Sequence, residues 1–137
     1  MDYRELARLA DEARKNAYCI YSGFAVGAAL LTSDGKVYQG CNIENASYPA
    51  GICAERTAFS KAISEGEHEF KAIAIAGGEK GRKPAAAYPC GICRQFMNEF
   101  VRGDEFDVII VHEDLDHEVH KLGELLPYSF GPEHLNK

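Results

Sequence analysis

Three of the five cysteines fall in two short clusters, Cys53-Ala54-Glu55-Arg56 and Pro89-Cys90-Gly91-Ile92-Cys93. Thiols divided this way make a metal-ligand constellation, so the fold has to bring the two clusters together in space. Each cluster opens a segment of helical periodicity. Ala54 to Ser64 sets Ala58, Phe59, Ala62 and Ile63 one turn apart and stops at Gly66. Ile92 to Val101 puts Ile92, Phe96, Met97 and Phe100 on one face and stops at Gly103. The cysteines therefore belong to the first turns of two helices, where free N–H groups and the positive end of the helix dipole favour thiolate. Cys90 and Cys93 are three apart, share a helix face and can grip one ion.

Zinc suits three thiolates. Three protein ligands leave the fourth position to water, whose pKa falls to about 7 on the metal. Glu55, two residues after Cys53, gives the constellation a catalytic cast. Arg56 lies within reach to offset the net negative charge of a dication held by three thiolates. The alternative is a structural Cys₃His site with His112, just after an apolar run, as fourth ligand. That reading leaves Glu55 without a role.

Taken together, Cys-Ala-Glu-Arg-Thr-Ala at 53–58 and Pro-Cys-Gly-Ile-Cys-Arg-Gln at 89–95 resemble the zinc cytidine deaminases of the small homotetrameric type with a Cys₃ site. Cys53 stands where the wider signature has histidine. The resemblance runs from Tyr18 to Phe130. It implies one zinc per chain and a hydrolase that converts cytidine and 2′-deoxycytidine to the uridines plus ammonia, in pyrimidine salvage.

Composition agrees with a globular domain. With 137 residues, 46% hydrophobic and 26% charged, the chain is read as a single domain over 1–137. A net charge of −6 and the lack of a basic stripe argue against a nucleic-acid partner. No apolar run spans a bilayer, and Met1-Asp2-Tyr3-Arg4-Glu5 does not read as a signal peptide, so the chain is expected in the cytoplasm, with no membrane partner. Cys19 and Cys41 read as small buried hydrophobes rather than a disulfide.

Along the chain, Asp2 caps a first helix striped by Leu6, Leu9, Ala10, Ala13 and Ala17. Phe24 to Leu31 reads as a central strand, apolar on both faces, and Thr32-Ser33-Asp34-Gly35 turns it into a second strand over Lys36 to Ile43. Asn42 and Glu44 then point to one side. An amide beside a carboxylate can hydrogen-bond sugar hydroxyls, and a solvated strand end fits the same spacing equally well. Phe70 to Ala76 and Phe106 to Val111 are further buried strands, and Val119 to Leu122 a short fifth. His117 and His120 are read as a solvated edge. The 78–88 loop is read as a harmless insertion rather than a lid. The element order predicts an α/β fold, a three-layer α-β-α sandwich around a mixed five-stranded sheet. A β-α-β-α-β run with parallel crossovers follows the opening hairpin.

The resemblance assigns the remaining roles. Glu55 moves the proton from the attacking water to the base N3 and then serves the leaving amine, while Arg56 tunes the thiolates. Phe24 stacks on the pyrimidine, the Ala54 N–H faces the base O2, and Asn42 and Glu44 hold the ribose. Tyr48, on the loop before Cys53, joins the substrate contacts. Phe130, in Leu-Leu-Pro-x-x-Phe, reaches a neighbouring subunit's site within a tetramer. Two competing readings remain: a deaminase of another base or nucleoside analogue such as blasticidin S, and a zinc-stabilised interaction domain without activity.

Overall fold

The structure is a computed structural model and describes residues 1–136. Helix α1 (Tyr3–Ala13) starts where the Asp2 carboxylate accepts the Arg4 N–H, and it buries Leu6, Ala7, Ala10 and Ala13. Strands β1 (Phe24–Thr32) and β2 (Val37–Cys41) follow, then α2 (Ala54–Ser64), β3 (Phe70–Glu79), α3 (Gly91–Asn98), β4 (Asp107–Val111), β5 (His117–Lys121) and a single turn, α4 (Leu122–Leu125). Helix α3 ends before the expected Val101. Glu99 and Phe100 bond back to Phe96 and Met97, so the chain tightens into i→i+3 geometry. No helix among the described residues is long and apolar enough to cross a membrane.

The sheet order is β2-β1-β3-β4-β5. Only the β3–β4 pair is parallel; β1 runs antiparallel to both its neighbours, and β5 to β4. The expected mixed sheet, antiparallel hairpin and β2-α2-β3-α3-β4 run of like-directed strands are all present, but the place of β1 in the sheet was not foreseen. It is inserted between β2 and β3. Those two strands still point the same way, so α2 and α3 both begin beyond the same end of the sheet. That end is where open α/β sheets place their ligand crevices.

Alternation along the strands divides the core. Ala28, Leu30, Ile73, Ile75, Val108 and Ile110 face α2 and α3, whereas Ala29, Leu31, Ala72, Ala74 and Ile109 face α1. The expected three layers result. Phe59 centres the first half, with ring centroids 5.0 Å from Phe70, 6.0 Å from Phe106 and 6.1 Å from Phe100. Truncating such a ring to alanine costs about 3–5 kcal/mol. Gly40 lets α2 lie directly on β2: a Cβ there would come within 2.5 Å of the Ala58 nitrogen and 2.6 Å of the Ala54 carbonyl oxygen. Thr57 Oγ, donating to the Cys41 carbonyl at 3.0 Å, fastens the same contact. The N-terminus of α2 is thereby set beside the end of β2.

Candidate active site

Cys53 and Cys90 are the N-cap residues of α2 and α3. Both backbones are extended, at φ −79°, ψ 157° and φ −68°, ψ 166°, so each thiol leaves the chain before the helical spiral begins. This lets Cys53 and Glu55 serve one site although their separation would diverge inside a helix. Cys93 sits in the first turn of α3, fully buried. The three Sγ atoms all lie within 4.8 Å of one another, and Cys53 and Cys90 are 4.0 Å apart. Zinc with bonds of about 2.3 Å places tetrahedral sulfurs about 3.8 Å apart, so the trio fits the ion with little contraction. His112 is not in this group. Its Nε2 bonds Glu118 instead, at 2.5 Å.

The electrostatics match a cation site. Cys53 is held down to about 5 by the hydrogen bond from Cys93, with the Arg56 guanidinium beside it. Cys93 is pushed up by that same bond and by burial. A dication bound there would displace the thiol protons. Arg56 Nη2 stands 3.6 Å from Cys53 Sγ, and its buried Nε has no partner among the described residues. Burial pushes the Glu55 carboxyl up to about 7, with the Cys53 thiolate adding to the shift. A carboxyl poised there can both accept and return a proton near neutral pH.

These groups form one end of an open pocket of about 610 Å³, lined by Cys53, Ala54, Glu55, Arg56 and Cys90. Phe24, Asn42, Glu44 and Tyr48 line the rest, so of the residues singled out as ligands, catalyst, substrate contacts or charge partner, all but Cys93 and Phe130 border one cavity. Buried Cys93 stands behind the wall. Phe24 opens β1 half-exposed, as a pocket wall rather than a core residue.

Asn42 and Glu44 have a task the sequence did not announce. Asn42 Oδ1 accepts the Val26 N–H and its Nδ2 donates to the Phe24 carbonyl, each at 2.9 Å. Glu44 accepts the N–H groups of Tyr21 and Ser22 at 3.0 and 3.1 Å and the Ser22 hydroxyl at 2.5 Å, which together hold its carboxyl low, the hydroxyl foremost. Ser22 Oγ in turn accepts the Phe24 N–H at 3.0 Å. Both side chains therefore brace the segment that presents Phe24. Free lone pairs on Glu44 and the second Nδ2 hydrogen of Asn42 remain for a ligand.

Phe130 does not line its own chain's pocket. Its ring stacks on His134 with centroids 5.2 Å apart, and its carbonyl accepts Gln95 and Asn98 of α3 at 2.9 and 3.0 Å. Strand β3 runs through Glu79, so the loop expected over 78–88 begins at Lys80, and it is more than a harmless insertion. Arg14, buried, donates to the carbonyls of Glu79, Arg82 and Ala25, and Ala87 and Tyr88 at the far end of the loop border the pocket. Ser22, Arg14 and Tyr88 were missed because their partners are remote in sequence. Cys19 and Cys41 are free; Cys19 is buried with Ala17 and Ala25 as expected, whereas Cys41 packs against them only partly buried.

Residues 1–107 match the sequence profile described as the cytidine and deoxycytidylate deaminase zinc-binding region. The cytidine deaminase of Sporosarcina psychrophila is 45% identical over 136 residues, 99% of this chain and 96% of the relative. A probable cytidine deaminase of Dictyostelium discoideum is 46% identical over 138 residues, 98% of this chain and 90% of the relative. Among solved structures, cytidine deaminase from Burkholderia pseudomallei superposes with a TM-score of 0.86 at 44% identity, covering 95% of this chain and all of that one. The Mycobacterium tuberculosis enzyme gives 0.80 at 39%, covering 96% and 98%.

Proposed function

Because the chain belongs to the cytidine and deoxycytidylate deaminase family, a family of zinc hydrolases, we propose that it hydrolyses cytidine and 2′-deoxycytidine to uridine and 2′-deoxyuridine with release of ammonia. The observation that carries this reading is the buried Glu55 carboxyl opening onto the same pocket end as the thiols of Cys53 and Cys90. Zinc held by Cys53, Cys90 and Cys93 supplies a Lewis acid that brings water's pKa to about 7.

The chain's own residues do the rest. Glu55 accepts the proton of the attacking water and gives it to N3 of the base. It then takes the remaining proton from the new C4 hydroxyl and passes it to the departing N4 amine, so that one water enters and one ammonia leaves. Arg56 offsets the excess negative charge of the thiolates. Phe24 stacks on the pyrimidine, the Ala54 N–H receives O2, and Asn42, Glu44 and Tyr48 hold the sugar side. A carboxylate at the ribose and an overall charge of −6 favour free nucleosides over nucleotides. The chain works as one domain in the cytoplasm, in pyrimidine salvage, and as a homotetramer in which Phe130 walls a neighbour's pocket.

Loss of the cytidine absorbance band on adding protein, with one zinc per chain by metal analysis, tests the reading. A zinc-loaded protein that leaves cytidine and deoxycytidine untouched refutes it.

A further inference from the structure

Cys90 is the ligand least fixed by the fold. Cys93 is buried in α3 and Cys53 is half-buried, while Cys90 is exposed. The residues leading into it, 86–90, belong to no helix or strand. Upstream, the last backbone anchor is the Ala85 N–H to Gly77 carbonyl bond of 2.7 Å, and downstream α3 begins at Gly91. Cys90 is tied to α3 by its carbonyl, which accepts the Arg94 N–H at 3.0 Å, and residues 86–89 are held by side chains.

One clamp is Arg94. Its Nε donates to the Pro89 carbonyl at 2.7 Å while Nη1 donates to Leu125 at 2.8 Å. The second comes from the far edge of the sheet. Tyr88 donates its hydroxyl to Glu118 Oε2 at 2.9 Å, and His112 Nε2 lies 2.5 Å from that same oxygen. His120 Nε2 lies 2.6 Å from Oε1, and its ring faces Tyr88 with centroids 6.5 Å apart. Three elements, the lead into α3, the end of β4 and strand β5, thus converge on one carboxylate. Glu118 pairs with Ile110 across β4–β5, and Ile110 with Ile75 across β3–β4, so the cluster lies on the sheet row that reaches the pocket wall at Ile75.

We propose that Glu118 is a positioning residue for the metal-ligand loop: through Tyr88 it fixes the lead into Cys90 and so holds the third thiol in register with the other two. His112 and His120 keep the carboxylate oriented by occupying one oxygen each, leaving Oε2 shared with Tyr88. The proposal rests on the three cysteines holding one metal ion. Removing an outer partner that orients a ligand commonly costs 10–100-fold in metal affinity.

The experiment measures release of zinc from the loaded protein to a chromogenic chelator, after metal analysis has established one zinc per chain. A wild-type chain without zinc would refute the metal reading itself, separately from this inference. Y88F deletes one oxygen from a half-exposed ring and leaves packing intact. Release should quicken about 10-fold in Y88F and comparably in E118A, and the double variant should release no faster than the quicker single one, because both break one link. K83A is the control. It removes the ion pairs of Lys83 with Glu113 and Asp114, in the β4–β5 turn, without touching Tyr88, and should leave release unchanged. Unaltered release in Y88F overturns the proposal even where E118A fails to fold. So does a double variant whose effect equals the product of the singles, or a K83A chain that loses zinc as fast as Y88F.

Discussion

Arg56 approaches Cys53 with Nη2 at 3.6 Å from the sulfur, while its Nε is buried and unpartnered among the described residues. We propose that this guanidinium acts through its charge on the thiolates. Arg56→Ala should keep one zinc per chain yet lower kcat/KM, by about 10-fold if it behaves as other ligand-orienting partners do. Metal analysis beside steady-state kinetics checks this. Full activity would reduce Arg56 to a packing residue.

Glu55→Gln should keep the fold and the metal while kcat falls by about 10²–10⁴-fold, the usual worth of a general acid–base group. KM should change far less. Near-normal turnover would remove Glu55 from the proton path.

Asn42→Ala should raise KM and also destabilise the protein. The Val26 N–H and Phe24 carbonyl each lose a bond of 2.9 Å, and a part-buried group left unsatisfied costs about 1–3 kcal/mol. Urea unfolding of the metal-free chain reads the second effect. A rise in KM with unchanged stability would mean that Asn42 serves substrate alone.

Acid should reveal Glu118. Its carboxyl is lowered from 4.5 to about 2 by His120, then His112 and Tyr88. A depressed carboxyl contributes stability that is complete above its unfolded pKa and disappears as pH falls towards its folded pKa. The stability advantage of wild type over Glu118→Gln, measured on metal-free protein, should therefore shrink between about pH 5 and 2. Parallel curves across that window would show that the bonds to Glu118 are not formed in solution.

Phe130→Ala and Glu55→Ala chains should each be nearly inactive alone and recover activity when co-expressed. Within one chain Phe130 lies outside the pocket, against His134. A mixed assembly then contains pockets with Glu55 from one chain and Phe130 from another. Both variants must first size as the same assembly as wild type. Persistent inactivity of the mixture, with that assembly intact, would place Phe130 in cis or outside catalysis.

Much of the site was legible because its chemistry is local. Cys53 with Glu55, and Cys90 with Cys93, announce themselves by residue type and spacing, and Gly66 and Gly103 mark where the expected helices run out. Alternation placed Asn42 and Glu44 on one side of the strand expected over Lys36 to Ile43, although β2 ends at Cys41 and both residues follow it. Alternation does not reveal which strand edge a neighbour takes, and so the insertion of β1 between β2 and β3 was not foreseen. Ser22 and Glu44, Arg14 and Arg82, and Tyr88 and Glu118 meet only after the sheet forms. Nothing in the sequence near Glu118 distinguishes a three-donor hub from a solvated edge.

The placement of β1 between β2 and β3 also fixes an order of events as the chain folds. The β1–β2 hairpin can close locally, and Cys90 with Cys93 can offer two thiols as soon as α3 forms. Cys53 joins them only after β3 has crossed over α2 and paired with β1, a contact between distant parts of the chain and so a slow one. Metal capture by all three thiols is thus a late step that reports completion of the sheet.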